Sequence, residues 1–178
     1  SSLPTFRRFE IATTGLDTLS GINRVKFGSQ SLLLNNRYSH TGGDICDSTY
    51  RDINKLVKRF KVTEANRDFT VWYAVILETP AGHSGNQPYF SIECDLAPNS
   101  DLCFDAAQLE CTDTYADTIC DFSGVDVVDW SCHRIKIPKS EIGNIATLEI
   151  SAADCGLHAH FGYAYIDGIC EECEGSAL

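Results

Sequence analysis

An all-β chain folded as an antiparallel β-sandwich is what this sequence predicts, on three observations. Short stretches alternate polar and apolar residues at period two, polar Gly-rich connections separate them, and no stretch carries a convincing 3.6-residue period. The length, 178 residues, suits one well-cored domain, and no repeat or linker divides it. Residues 1–178 therefore read as a single module.

The elements follow in order. Arg24–Asn35 reads as two short strands about Gly28-Ser29, and Thr49–Lys55 as a possible helical turn. Lys55–Val62 alternates at period two. Asp68–Glu78 is the strongest segment: Phe69, Val71, Tyr73, Val75 and Leu77 face one way, and Thr70, Trp72, Ala74 and Ile76 the other. With apolar residues on both sides, this strand is predicted to be central and covered on both faces. Tyr89–Cys94, His133–Pro138, Ala146–Ser151 and Phe161–Ile169 complete the set, which suits a sandwich or jelly roll. Between them, from about 96 to 129, lies a long acidic insert holding Cys103, Cys111 and Cys120, the kind of connection that is either functional or tied by disulfides.

Composition narrows the function. The net charge of −11 argues against nucleic acid, whose binders gain affinity from a basic surface, and suits divalent cations better. The cluster Lys55, Lys58, Arg59 and Lys61 alternates with apolar residues and reads as the wet side of a strand. No window approaches the roughly 18 apolar residues of a membrane span. With neither a signal peptide nor any methionine, the chain is expected to be a mature or excised piece of a larger protein. Nine cysteines point to an oxidising, extracellular compartment with most thiols paired, Cys155 with Cys170 and Cys103 with Cys111 being plausible bridges. Zinc at Cys170-Glu-Glu-Cys173 with His158 and His160 is the competing reading, but a second knuckle is missing.

The stretch "DCGLHAHFGYAYIDGIC", residues 154–170, poses the functional question. Phe161, Tyr163, Tyr165 and Asp167 share one face of the last strand, which reads most simply as core packing ended by an anomalous carboxylate. Calcium is one partner that would offset its desolvation, with Glu10 as a second ligand; a set of hydrogen-bond donors is the other.

Three stretches, "FKVTEANRDFTVWYAVILE", "GHSGNQPYFSIE" and "SAADCGLHAHFGYAYIDGIC", resemble the β-sandwich modules of large secreted and surface-adhesion proteins of gliding, Bacteroidota-type bacteria. "FE" near the start and "YID" on the last strand look like the pair flanking the structural calcium of jelly-roll, galactose-binding-like carbohydrate-binding modules. The family usually reads Gly-Gly-His-Phe-Gly-Tyr, so His160 matches and His158 does not. The resemblance implies a secreted or cell-surface, calcium-stabilised module that serves a larger surface protein by binding or display, with Glu10 and Asp167 as metal ligands.

Three classes of function compete. An enzyme would need a nucleophile, and neither G-x-S-x-G nor H-E-x-x-H is present, so no catalytic residue is assigned. A carbohydrate- or glycan-binding module would draw on Trp72, Tyr73, His83, Gln87, Tyr89, Asp154, His158 and His160, which pair ring faces with polar groups. Against that, the pattern of Asp68–Glu78 places Trp72 and Tyr73 in the core, and the histidines can simply brace loops. The third class is an extracellular spacer or assembly domain with no small ligand. Exposure discriminates: a solvent-facing aromatic cluster on a sheet favours sugar, and a filled or polar face favours the spacer. His83 and His160 are expected at one end of the sandwich.

Overall fold

The computed structural model describes residues 9–35, 53–80, 87–106, 114–116, 123–155 and 160–169. Ten strands appear among them: β1 (Phe9–Thr13), β2 (Gln30–Leu34), β3 (Ile53–Lys61), β4 (Asp68–Pro80), β5 (Tyr89–Cys94), β6 (Leu102–Asp105), β7 (Thr114–Ala116), β8 (Ser123–Lys136), β9 (Ile145–Ala153) and β10 (Gly162–Asp167). They form two antiparallel sheets, one ordered β1-β2-β10-β4-β8-β7 and the other β3-β9-β5-β6. The fold is an all-β sandwich.

Period-two alternation explains the layers. From β4, Val71, Tyr73, Val75 and Leu77 point into the space between the sheets, where they meet Phe90 and Ile92 of β5 and Leu148 and Ile150 of β9. Tyr73 stacks on Phe90 with ring centroids 5.1 Å apart. The other side of β4 is also covered: Ala74 and Ile76 join Phe161, Tyr163, Tyr165, Ala12 and Val125 in a second cluster on the outer face of the six-stranded sheet. The central, doubly covered strand expected from Asp68–Glu78 is what the chain forms.

Residues 14–29 cover that outer face as a strap. Its tip is a small hairpin closed by the Leu16–Asn23 bridge and by the Asp17 amide donating to the Ile22 carbonyl at 2.8 Å. Leu19 and Ile22 pack against the second cluster. Arg24–Phe27 therefore does not form the strand anticipated there. The Lys26 and Phe27 amides donate to the Asp167 carboxylate at 2.9 and 2.8 Å instead of to a neighbouring strand, and Gly28 turns the chain at φ 66° before β2 begins. A bulge in β8 assists: Asp129 and Trp130 together oppose Ala74, which aims the Trp130 indole N–H at the Asn23 carbonyl, 2.7 Å away.

One further expectation is corrected. Ile53–Lys55 belongs to β3 rather than to a helical turn; Thr49–Asp52 lies outside the described residues. The insert from 96 to 129 carries ordered elements, a 3-10 turn at Pro98–Ser100, strands β6 and β7, and the start of β8, because Leu102 and Phe104 alternate inward against the core.

Candidate functional site

Pairing registers locate the chain ends that matter. Leu34 lies opposite Ala164, Ile53 and Tyr89 each lie opposite Ala153, and Gly162 lies opposite Leu77. Hence β2, β4 and β9 end, and β3, β5 and β10 begin, at one end of the sandwich. That end carries Gln87, Asp154 and His160; His83, expected beside His160, and His158 lie outside the described residues.

A buried polar network holds this end together. Asp154 accepts from the Asn35 side-chain amide at 3.0 Å and from the Gly162 amide at 3.1 Å. Asn35 also donates to the Gly162 carbonyl at 2.8 Å, while its own side-chain oxygen accepts from Asn54 at 2.8 Å. Asn35 takes the left-handed conformation (φ 64°), which asparagine tolerates better than other side-chain-bearing residues, and this turns its amide inward at the end of β2. Glu78 accepts from the Phe161 amide at 3.1 Å and Asp126 from the Thr79 hydroxyl at 2.6 Å. Each buried charge thus has hydrogen-bond partners that offset its desolvation. Asn35, Asn54 and Glu78 were not legible as site residues, because isolated polar residues next to connections look like surface.

His160 is tied to Cys155. The Cys155 amide donates to the His160 carbonyl at 2.9 Å, and the Cys155 Sγ lies 3.4 Å from the imidazole Nδ1. His160→Ala is expected to lower stability by about 1 kcal/mol, the net worth of one such bond, which urea titration would measure. An unchanged midpoint would remove the bracing role.

The aromatic candidates lie elsewhere. Trp72 and Tyr73 sit on opposite faces of β4 and are 4% and 8% exposed. Trp72 lies beneath the strap, with Phe27 edge-on at 5.5 Å and the Lys26 ammonium 4.5 Å above its ring. Neither ring offers a face to solvent. Tyr89, half-buried, is on the outer face of the smaller sheet. Among the described residues it is the one aromatic on that face, beside Lys55, Arg59, Glu93 and Glu149, with Lys55 paired to Glu149.

Asp17, absent from the sequence-based candidates, is the hub of the strap. Its carboxylate accepts from the Leu19 and Ser20 amides, the Ser20 hydroxyl, and the Tyr163 and Tyr165 hydroxyls at 2.8 to 3.1 Å. Burial pushes this carboxyl up, but the Ser20 amide and the three hydroxyls outweigh burial and hold it below the usual carboxylate range. Burial and the adjacent Asp17 charge drive the Tyr165 hydroxyl far above its ordinary value, so it stays a donor. The signal in the sequence was Asp17-x-x-Ser20-Gly21, an aspartate positioned to cap its own turn.

No family model and no curated protein matches this chain. What the site does must come from its own chemistry.

The two residues assigned to calcium stand apart. Asp167 accepts three backbone amides, from Lys26, Phe27 and Gly168. Glu10 is exposed on β1, two strands away, level with Leu33 and Tyr165 rather than with Asp167. Among the described residues no group of three His, Cys, Asp or Glu side chains converges as a metal site. The donor set around Asp167 leads to an expected result: Asp167→Asn should lower stability by about 2 kcal/mol, equally in calcium and in chelator, because the lost partners are amides. A loss that vanishes in chelator would restore the cation.

The cysteines also require correction. Of the four described, Cys94, Cys103 and Cys155 are free thiols, and Cys132 is not among them. Cys155, a free thiol buried beside His160, does not bridge to Cys170, and Cys103, a free thiol on the exposed face of β6, does not bridge to Cys111. Thiol counting under denaturing, unreduced conditions is therefore expected to find at least the three thiols of Cys94, Cys103 and Cys155, rather than one or very few.

Proposed function

We propose that this chain is a non-catalytic structural module of a secreted or cell-surface protein, serving display or assembly rather than holding a small ligand. One observation carries the reading: among the described residues the outer face of neither sheet carries an exposed aromatic platform. The outer face of the larger sheet is roofed by the strap, and that of the smaller sheet presents the Lys55–Glu149 pair and exposed aliphatic side chains (Ile53, Val57, Ile145) with a single half-buried tyrosine. Sugars stack their apolar ring faces on exposed aromatic rings, and one half-buried ring is a poor substitute.

Strand order supports the fold part of the family resemblance. With the flanking β1 and β7 set aside, the sheets read β2-β10-β4-β8 and β3-β9-β5-β6. Outermost strands in sequence thus nest around inner ones, as in a jelly roll. The extracellular location belongs to this proposal through the same resemblance; the calcium that the resemblance also implies is left out of it, because three backbone amides already serve Asp167. For calcium, the comparison of Asp167→Asn with and without chelator is the test.

Glycan binding is the second reading, favoured by the gathering of Gln87, Asp154 and His160 at one end of a rigid sandwich, where binding loops are commonly carried. Glycan-array retention of the intact chain, with and without chelator, separates the two. The structural reading expects no specific retention, and reproducible retention of one glycan class would replace it.

A further inference from the structure

We propose that β1 is an assembly edge through which two copies of this chain associate, by antiparallel β1–β1 pairing about a two-fold axis at Ile11. The proposal rests on the assembly reading and names its contact.

Topology supplies the first observation. β1 is the terminal strand of the six-stranded sheet, so among the described residues one row of its amides and carbonyls faces no strand. Such an edge is a template for another strand. Side-chain exposure supplies the second. Phe9 and Ile11 lie opposite Leu34 and Leu32 and so point toward the inner, apolar side of the sheet. Yet Phe9 is 46% and Ile11 58% exposed, because the larger sheet runs past the four-stranded one and leaves them uncovered. An apolar inner side and an open edge coincide on one five-residue strand.

Register and charge select a second copy as the occupant. A chain with a net charge of −11 repels its own kind unless the touching surfaces keep like charges apart. Antiparallel pairing centred on Ile11 sets Ile11 against Ile11, Phe9 against Thr13 and Glu10 against Ala12, so all five residues of β1 pair and no carboxylate faces another. Moving the centre to Glu10 brings the two glutamates face to face. Moving it by half a step sets inner side chains opposite outer ones. The centred register is self-complementary, as a two-fold contact requires, and joins the two larger sheets edge to edge. An interface of two short strands is small, so the association is expected to be weak and concentration-dependent.

Sedimentation equilibrium over a loading series up to about 1 mM, the weak end of specific association, tests this. Wild type should show a monomer–dimer equilibrium. Ile11→Val should retain it, and Ile11→Lys, which sets two ammonium groups together on the axis, should weaken it at least tenfold with an unchanged melting curve. Amide exchange provides a readout free of any variant: protection at residues 9–13 should rise with concentration in wild type. A wild type that stays monomeric throughout, including one that pairs only with a strand of some other protein, overturns the proposal. So does a dimer indifferent to Ile11→Lys or to exchange at β1. A monomeric wild type removes the β1 contact alone, whereas specific glycan retention would remove the assembly reading.

Discussion

Asp17→Asn is expected to lower the stability of this protein by about 3 kcal/mol and to loosen the strap over residues 14–29. The carboxylate accepts from two amides and three hydroxyls in a site that is 8% exposed. Hydrogen bonds to a charged acceptor contribute about 1.5–3 kcal/mol each, more than neutral ones. The amide of asparagine removes the charge and turns an N–H2 toward hydroxyls that already donate, leaving Tyr163 or Tyr165 buried without an acceptor. Urea denaturation gives the magnitude, and faster exchange of the Leu19 and Ser20 amides locates it. Combining Asp17→Asn with Tyr163→Phe and Tyr165→Phe should lose less than the sum of the separate changes, because all three break one network. A variant within about 0.5 kcal/mol of wild type, the range of neutral surface changes, would show that the strap is held by packing alone.

The same carboxylate sets a direction with pH. Its folded value is depressed, so the unfolded chain takes up the proton first on acidification. The stability it contributes is complete above about pH 4, the unfolded range of an aspartate, and declines as pH falls further toward the folded value. The stability difference between wild type and Asp17→Asn should therefore shrink below pH 4 and be flat above pH 5.

Gly162→Ala is expected to be comparably damaging, at about 3 kcal/mol. A methyl group there would stand 2.5 Å from the Ala153 carbonyl oxygen, 3.0 Å from Leu77 Cδ2 and 3.2 Å from Pro88 Cβ. The nearest atom belongs to the backbone of β9, so relief requires β9 and β10 to separate at the end where Asp154 and Asn35 both bond Gly162. Overpacking of a well-filled site costs about 1–3 kcal/mol, and the strained network adds to it. Chemical denaturation measures the loss, and a midpoint near wild type would mean that this end is loosely packed.

How much of this was legible in the sequence depended on whether a residue's role follows from its own strand. The doubly covered β4 was readable because Phe69–Leu77 carries both faces within one period-two run. The ladder Phe161, Tyr163, Tyr165 was readable as core for the same reason. What covers the ladder was not, since the strap reaches it through Asp17 from 146 to 148 residues away in the chain. Arg24–Phe27 misled because its composition suits a strand, while its amides are claimed by a carboxylate that the sequence places far away. At the candidate site, Asp154 and His160 lie at one end of the sandwich, while His83, the expected companion of His160, lies outside the described residues. Their partners Asn35 and Asn54 were hidden, because asparagine at a strand end looks like a turn residue until the fold folds it inward.

Whether this sandwich grips a sugar decides between display and adhesion. The most direct measurement is glycan-array binding of the wild-type chain beside His160→Ala, in calcium and in chelator, with melting curves of both. The structural reading predicts no specific retention by either protein, and only the modest loss of stability that a bracing histidine implies. Retention of a defined glycan class by wild type, abolished in His160→Ala with no change in melting, would contradict it.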